Sequence, residues 1–235
     1  MGAKDALSPT ETRTVIHAAR GEAIRRCRKD GWFFTTTFVK TRDEADADSV
    51  KMFPDKTYLR ESWRLIHDRQ RVVVAKSRQL MWSWLLCAYC VWFARFHEHK
   101  AIFWQAQKEE DAFAMVCLPG REEAYAARMQ FIVRRLPDWL RGRWKESEGE
   151  LSCLDTQSLV KGLPGGANQI RGKVPSLYVA DEFAFQEEQD GVYTAVAPLL
   201  QKATKAVFVS TPNGSANMFA TLFHGAPVGA GFQSA

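Results

Sequence analysis

Four short runs of uninterrupted apolar residues set the limits on this fold. VVVA at 72–75, AIFWQA at 101–106, SLYVA at 176–180 and AVFVS at 206–210 lack polar alternation. A strand with one wet face alternates apolar and polar residues, whereas a strand covered on both faces reads as a continuous apolar run. Helical stretches separate the runs: an uncharged segment at 80–94 that ends near His97, and a segment that opens at 109–116. Alternation of this kind predicts a doubly wound, mainly parallel α/β sheet flanked by helices.

Composition is that of a globular chain, with 46% hydrophobic and 25% charged residues in 235. That excludes disordered and fibrous classes. Lys and Arg number 32 against 27 Asp and Glu, giving a net charge of +5. The mild excess permits a nucleic-acid partner without demanding one. The five cysteines are scattered, and the single C-x-x-C at Cys87 and Cys90 lies inside the apolar helical segment. Buried thiols fit that placement better than zinc. Residues 1–20 carry no apolar core of the secretory kind. The 80–94 run is short for a membrane span and is interrupted by Ser83, so it reads as a buried helix.

Ser8-Pro9-Thr10-Glu11 has the pattern of a capping box, opening a helix that runs to about Lys29 and stops before Gly31. Its end is basic, with Arg25, Arg26, Arg28 and Lys29. Such charges suit a helix C-terminus, and they also suit DNA or a partner. Residues 32–40 are aromatic and β-branched and read as a strand. An acidic loop follows at 41–49, then helices at 60–69 and 121–136 and a short strand at 151–154. The expected organisation is an N-terminal helical, lid-like segment at 1–70, a core at 71–224 and a flexible tail or linker at 225–235.

Open α/β sheets bind ligands at the carboxyl ends of their strands. Three strand ends here carry polar clusters. The first, Lys76-Ser77-Arg78-Gln79-Leu80-Met81-Trp82-Ser83, lies between a strand and the long helix, where a phosphate-binding loop belongs. Against the pattern G-x-x-x-x-G-K-[ST] it departs at Lys76, Met81 and Trp82 and agrees only at Ser83. The second is Asp181-Glu182. An aspartate near Mg²⁺ and a glutamate that polarises the attacking water are what ATP hydrolysis needs there, although acidic pairs also cap helices. The third is Ser210-Thr211-Pro212-Asn213-Gly214, suited to sensing a terminal phosphate or simply to a turn.

In this order and spacing, Lys-Ser-Arg-Gln-Leu at 76–80, Ile-Arg-Gly at 170–172, Tyr-Val-Ala-Asp-Glu-Phe-Ala-Phe at 178–185 and Ser-Thr-Pro-Asn-Gly at 210–214 resemble the ATPase domain of the large terminase subunit of tailed bacteriophages. The resemblance covers about 71–223. It implies a P-loop NTPase fold of the glutamate type, with ATP and Mg²⁺ as ligands. Lys76, Ser77, Arg78, Gln79 and Ser83 would then form the phosphate loop, its lysine displaced to the front at Lys76. Ser83 and Asp181 would attend Mg²⁺, and Glu182 would be the catalytic carboxylate. Arg171 would be an arginine finger reaching a neighbouring subunit's nucleotide, and Ser210, Thr211 and Asn213 would couple hydrolysis to movement.

The activity so implied is ATP-driven translocation of double-stranded DNA into a procapsid. The implied partners are further copies in a ring, the portal protein and the small terminase subunit, in the cytoplasm of an infected bacterium, with no membrane. Arg134, Arg135, Arg141, Arg143 and Lys145 are candidate grips on the DNA backbone. No acidic residue follows Asp190, so a two-metal nuclease is not expected from these residues. Two alternatives remain: a helicase-like ATPase, and a P-loop module whose loop has decayed and which acts only in partner binding.

Overall fold

The computed structural model describes residues 8–42, 49–77, 80–122, 125–201 and 203–225, with the backbone of 233–234. Its centre is one sheet in which all four apolar runs are strands: β3 (Arg71–Ala75), β4 (Ala101–Gln105), β8 (Leu177–Asp181) and β9 (Lys205–Ser210). The order across the sheet is β10-β3-β9-β8-β4-β7-β6-β5, where β5 is Trp144–Ser147, β6 Glu150–Cys153, β7 Ser158–Leu163 and β10 Gln233–Ser234. Strands β10 through β7 run parallel, and β6 and β5 add an antiparallel edge. A small antiparallel ribbon pairs β1 (Lys40–Arg42) with β2 (Val50–Met52).

The apolar runs are continuous because successive side chains enter different cores. Val72 and Val74, Ile102 and Trp104, Leu177 and Val179, and Val207 and Val209 pack on one face. That face is covered by α4 (Trp82–Phe96), α5 (Glu109–Val116) and α6 (Arg128–Arg135). Val73, Phe103, Tyr178 and Phe208 pack on the other, beneath α8 (Gln189–Leu200) and α9 (Met218–Phe223). The uncharged 80–94 segment is therefore a core helix, and among the described residues no helix is long and apolar enough to cross a membrane. All five cysteines are free and buried. Burial pushes the Cys87 thiol up to about 12.

Helix α1 (Pro9–Lys29) begins as its sequence predicts, with Ser8 Oγ accepting from Glu11 N at 3.3 Å and Ser8 N donating to Glu11 Oε2 at 2.8 Å. The 32–40 segment departs from expectation. It is a helix, α2 (Gly31–Phe38), rather than a strand. Asp30 caps it by accepting from Phe33 N at 2.8 Å, and the hydroxyls of Thr35 and Thr36 donate to the carbonyls of Gly31 and Trp32 at 2.8 and 3.0 Å. Capping by Asp30 and burial of Phe34 thus override β propensity. Gly31 lets α2 close on its neighbours: an added Cβ would stand 2.4 Å from Trp63 and 2.7 Å from Trp92.

Two further boundaries differ. Among the described residues the 121–136 helix is confined to α6, because Gln130 Oε1 accepts from Leu118 N and Ala127 N, both at 3.2 Å, and so ties down the backbone just ahead of it. A single turn, α7 (Asp138–Arg141), leads from α6 into β5. The helix expected at 60–69 starts earlier, at Thr57. Helix α3 (Thr57–Asp68) completes the N-terminal part, burying Leu59, Trp63 and Ile66.

Candidate active site

Parallel pairing in register brings the strand ends to one edge of the sheet. Ala75 lies opposite Ser210, and Asp181 opposite Val209. Lys76 N continues the ladder by donating to Ser210 O at 2.9 Å. The side chain of Lys76 then has a fixed origin and crosses toward β8. Its Nζ is 2.9 Å from Glu182 Oε1 and 3.7 Å from Asp181 Oδ1. The lysine side chain is only 11% exposed and that of Asp181 8%, so this ion pair is shielded from solvent, while Glu182 is 41% exposed and faces the opening.

Glu182 is held from its other side by the third motif. Its Oε2 accepts from Thr211 N at 3.1 Å and from Thr211 Oγ1 at 3.2 Å, and Ser210 Oγ is 3.2 Å away. Asn213 Nδ2 donates to Ala184 O at 3.1 Å, which fastens the same turn to the segment after Glu182. Glu182 adopts a left-handed backbone conformation, φ 45°, that turns its carboxylate back over the strand end. Burial alone would raise its pKa. The Lys76 hydrogen bond and charge, with the Thr211 donors, outweigh that and hold it below the ordinary glutamate value. Asp181 goes the other way: deeper burial pushes its pKa up against the opposing pull of Lys76.

In the loop between β3 and α4, Ser77 and Ser83 line the cleft, whereas Arg78 and Gln79 lie outside the described residues. Met81 stands where the consensus loop has glycine, and it adopts the conformation glycine would supply, φ 61° and ψ 8°. A side chain there costs about 1 kcal/mol of backbone strain. Trp82 is 7% exposed and belongs to the core beneath α4 while touching the cleft wall.

The cleft has a volume of about 1070 Å³. Besides the acidic pair and Lys76, it is walled by residues the sequence did not single out. Arg42 and Lys51 come from the β1–β2 ribbon, Trp84 from α4, Asp111 and Met115 from α5, and Arg128 from α6. The Arg128 guanidinium lies over the Trp84 ring, 5.6 Å from its centroid. No local pattern marks these residues, because only the tertiary fold brings their segments to the strand ends. Gln105 did carry a signal, being a polar residue at a strand's carboxyl end. Its Nε2 donates to Pro164 O at 2.8 Å and Gly166 O at 3.0 Å, and its Oε1 accepts from Tyr178 Oη.

Among the described residues no group of three or more His, Cys, Asp and Glu side chains could hold a metal alone. The Asp181 carboxylate and the Ser83 hydroxyl share the cleft. One carboxylate and one hydroxyl suit Mg²⁺, which keeps waters and takes phosphate oxygens for its other ligands.

Arg171 is not brought to this cleft. It is exposed on the segment after β7 and donates to Asn168 Oδ1 at 2.9 Å. Of the basic residues considered for gripping DNA, Arg134 is paired with Glu146 at 2.9 Å, Arg141 with Asp138 at 2.6 Å and Arg143 with Asp155 at 2.8 Å. Each of those three has a carboxylate beside it.

The sequence matches no protein-family model. Among solved structures, the chain is similar to the HK97 bacteriophage large terminase, with a TM-score of 0.64 and 13% identity, covering 85% of this chain and 41% of that one. It is also similar to the large terminase of a thermophilic bacteriophage in complex with ADP, with a TM-score of 0.58 and 11% identity, covering 76% of this chain and 44% of that one. A third similar structure is the Thermus phage P74-26 large terminase ATPase domain, with a TM-score of 0.53 and 16% identity, covering 73% of this chain and 78% of that one. The matched part is thus about two fifths of the first two proteins and most of the isolated ATPase domain. Its mostly parallel sheet, flanked by helices and edged by these motifs, has the P-loop NTPase fold of the ATPase domain of bacteriophage large terminases.

Proposed function

We propose that this chain is the ATP-hydrolysing motor domain of a DNA-packaging terminase. The observation that carries the reading is Lys76 Nζ, 2.9 Å from Glu182 and 3.7 Å from Asp181 in a cleft large enough for a nucleotide. An amine and an acidic pair meet there at the carboxyl ends of parallel strands. ATP is the substrate, and Lys76 binds its terminal phosphates from the front of the loop with Ser77, Arg78 and Gln79. Ser83 and Asp181 would hold Mg²⁺, which neutralises phosphate charge when bound.

Glu182 takes the proton of the attacking water as general base, oriented by Thr211. Because Lys76 pairs with Glu182 in this state, engagement of Lys76 by phosphate leaves the carboxylate to the water. Ser210, Thr211 and Asn213 bond to Glu182 or to the segment just after it, so a shift of the carboxylate pulls directly on the turn that follows β9.

On this reading the chain assembles as a ring on a portal protein in the cytoplasm of an infected bacterium, is loaded by a small terminase subunit and moves double-stranded DNA. Mg²⁺-dependent release of phosphate from ATP tests it; phosphate release that EDTA does not stop, or none at all, overturns it. Arg171, exposed and outside its own cleft, acts on a neighbour's nucleotide. Arg171→Ala is expected to abolish turnover in the assembled ring, a loss of about 10³-fold or more, while monomer nucleotide affinity is unchanged. Loss of monomer binding in a titration would place Arg171 in its own site instead.

A further inference from the structure

Away from the cleft, α3 carries Arg60, Trp63, Arg64 and His67 at spacings that put all four on one face. With Lys29, Asp30 and Trp32 from the α1–α2 junction they enclose a second cavity of about 350 Å³. Its charge is one-sided. Lys29 and Arg64 are exposed and have no acidic partner among the described residues. Arg60 carries its own counter-ion, Asp55 at 2.8 Å, and the one acid on the wall, Asp30, is engaged as the cap of α2.

The Trp32 indole N–H is buried without an acceptor among the described residues, an uncommon state that marks a missing acceptor. Trp32 and Trp63 pack edge-on, with centroids 6.2 Å apart, and Trp32 also meets Phe53. Their faces are thus engaged with one another, which leaves charge rather than base stacking as the means of recognition. The basic last turn of α1, with Arg26, Arg28 and Lys29, extends the positive surface beside the cavity.

We propose that this corner binds a phosphate group of a DNA backbone, with Lys29 and Arg64 as its cations. The site is separate from the nucleotide cleft and does not depend on its chemistry. A phosphate contact of this kind positions DNA without reading its sequence.

The test is duplex-DNA binding by the full chain, without nucleotide, followed by fluorescence anisotropy over a range of salt concentrations. The double variant Lys29→Ala/Arg64→Ala should weaken binding about tenfold at low salt and reduce the salt slope by about 1. Removing two exposed charges elsewhere, Arg13→Ala/Lys108→Ala, should leave the slope unchanged. Equal effects from the two double variants, or no effect from Lys29→Ala/Arg64→Ala, would overturn the proposal. Displacement of the duplex by inorganic phosphate well below the matched ionic strength of chloride would make this a free-phosphate site and defeat the DNA assignment. DNA-independent ATP hydrolysis by Lys29→Ala/Arg64→Ala should equal that of the parent chain, so failure here is distinguishable from failure of the motor reading.

Discussion

Glu182→Gln is expected to lower the rate of ATP hydrolysis by about 10²–10⁴-fold while leaving nucleotide affinity within about threefold of the parent chain. An amide keeps the size and shape of the carboxyl group and still accepts from Thr211 N, so the strand end retains its geometry. What it loses is the capacity to take a proton. The carboxyl pKa is held low in the parent chain because Lys76 and Thr211 outweigh burial, so the base is ionised throughout the neutral range. Rapid-quench measurement of phosphate formation, together with equilibrium nucleotide binding, separates the two quantities. Hydrolysis at the parent rate in Glu182→Gln would remove Glu182 from the chemistry.

Lys76→Ala is expected to cut kcat/KM by about 10²–10³-fold, the usual scale for loss of one preorganised donor at a site of developing charge. Unlike the glutamate variant, it should weaken nucleotide binding as well as turnover. It also leaves Asp181 and Glu182 adjacent without their shared cation. The Glu182 pKa then rises, so the acid limb of any residual pH–rate profile moves to higher pH. The sign for stability follows from the same shift. A carboxyl whose folded pKa is lowered stabilises the fold above its unfolded value, near 4.5, and that share is lost as pH falls. Asp181, whose pKa is raised, opposes it. Removing Lys76 deletes the Glu182 contribution, so Lys76→Ala should lose less stability on acidification than the parent chain. Thermal melts at neutral and acid pH, alongside steady-state kinetics, measure both effects.

The sheet was legible in the sequence because burial on both faces leaves the pattern of uninterrupted apolar residues, and each such run is a strand. The polar clusters at their ends were legible for a related reason: a strand that stops abruptly at Lys76, Asp181 or Ser210 delivers its next side chains to one edge. Helix α2 was not legible. Its aromatic and threonine content favours a strand, and what decides otherwise is capping by Asp30 and the close approach to Trp63 and Trp92 that Gly31 permits. The strands β5 and β7 were missed because their own patterns are weak: β5 is a partly exposed edge strand paired with β6, and β7 takes one of its two partners, β4, from much earlier in the chain. The walls of the cleft at Arg42, Trp84 and Arg128 depend on three elements meeting, which no single window of sequence encodes. Met81 shows the converse: the departure from glycine was visible, but only the structure shows that the left-handed turn is kept despite it.

In the proposed motor, an amine at the front of the phosphate loop serves in place of the lysine absent at Trp82. A crystal structure with Mg²⁺ and a non-hydrolysable ATP analogue tests this directly. The expected result is Lys76 Nζ within hydrogen-bond distance of a terminal phosphate oxygen, with Glu182 released toward the space beyond it. An analogue bound with Lys76 still paired to Glu182 and away from the phosphates would contradict that role, as would a cleft that excludes the nucleotide because the Trp82 indole fills it.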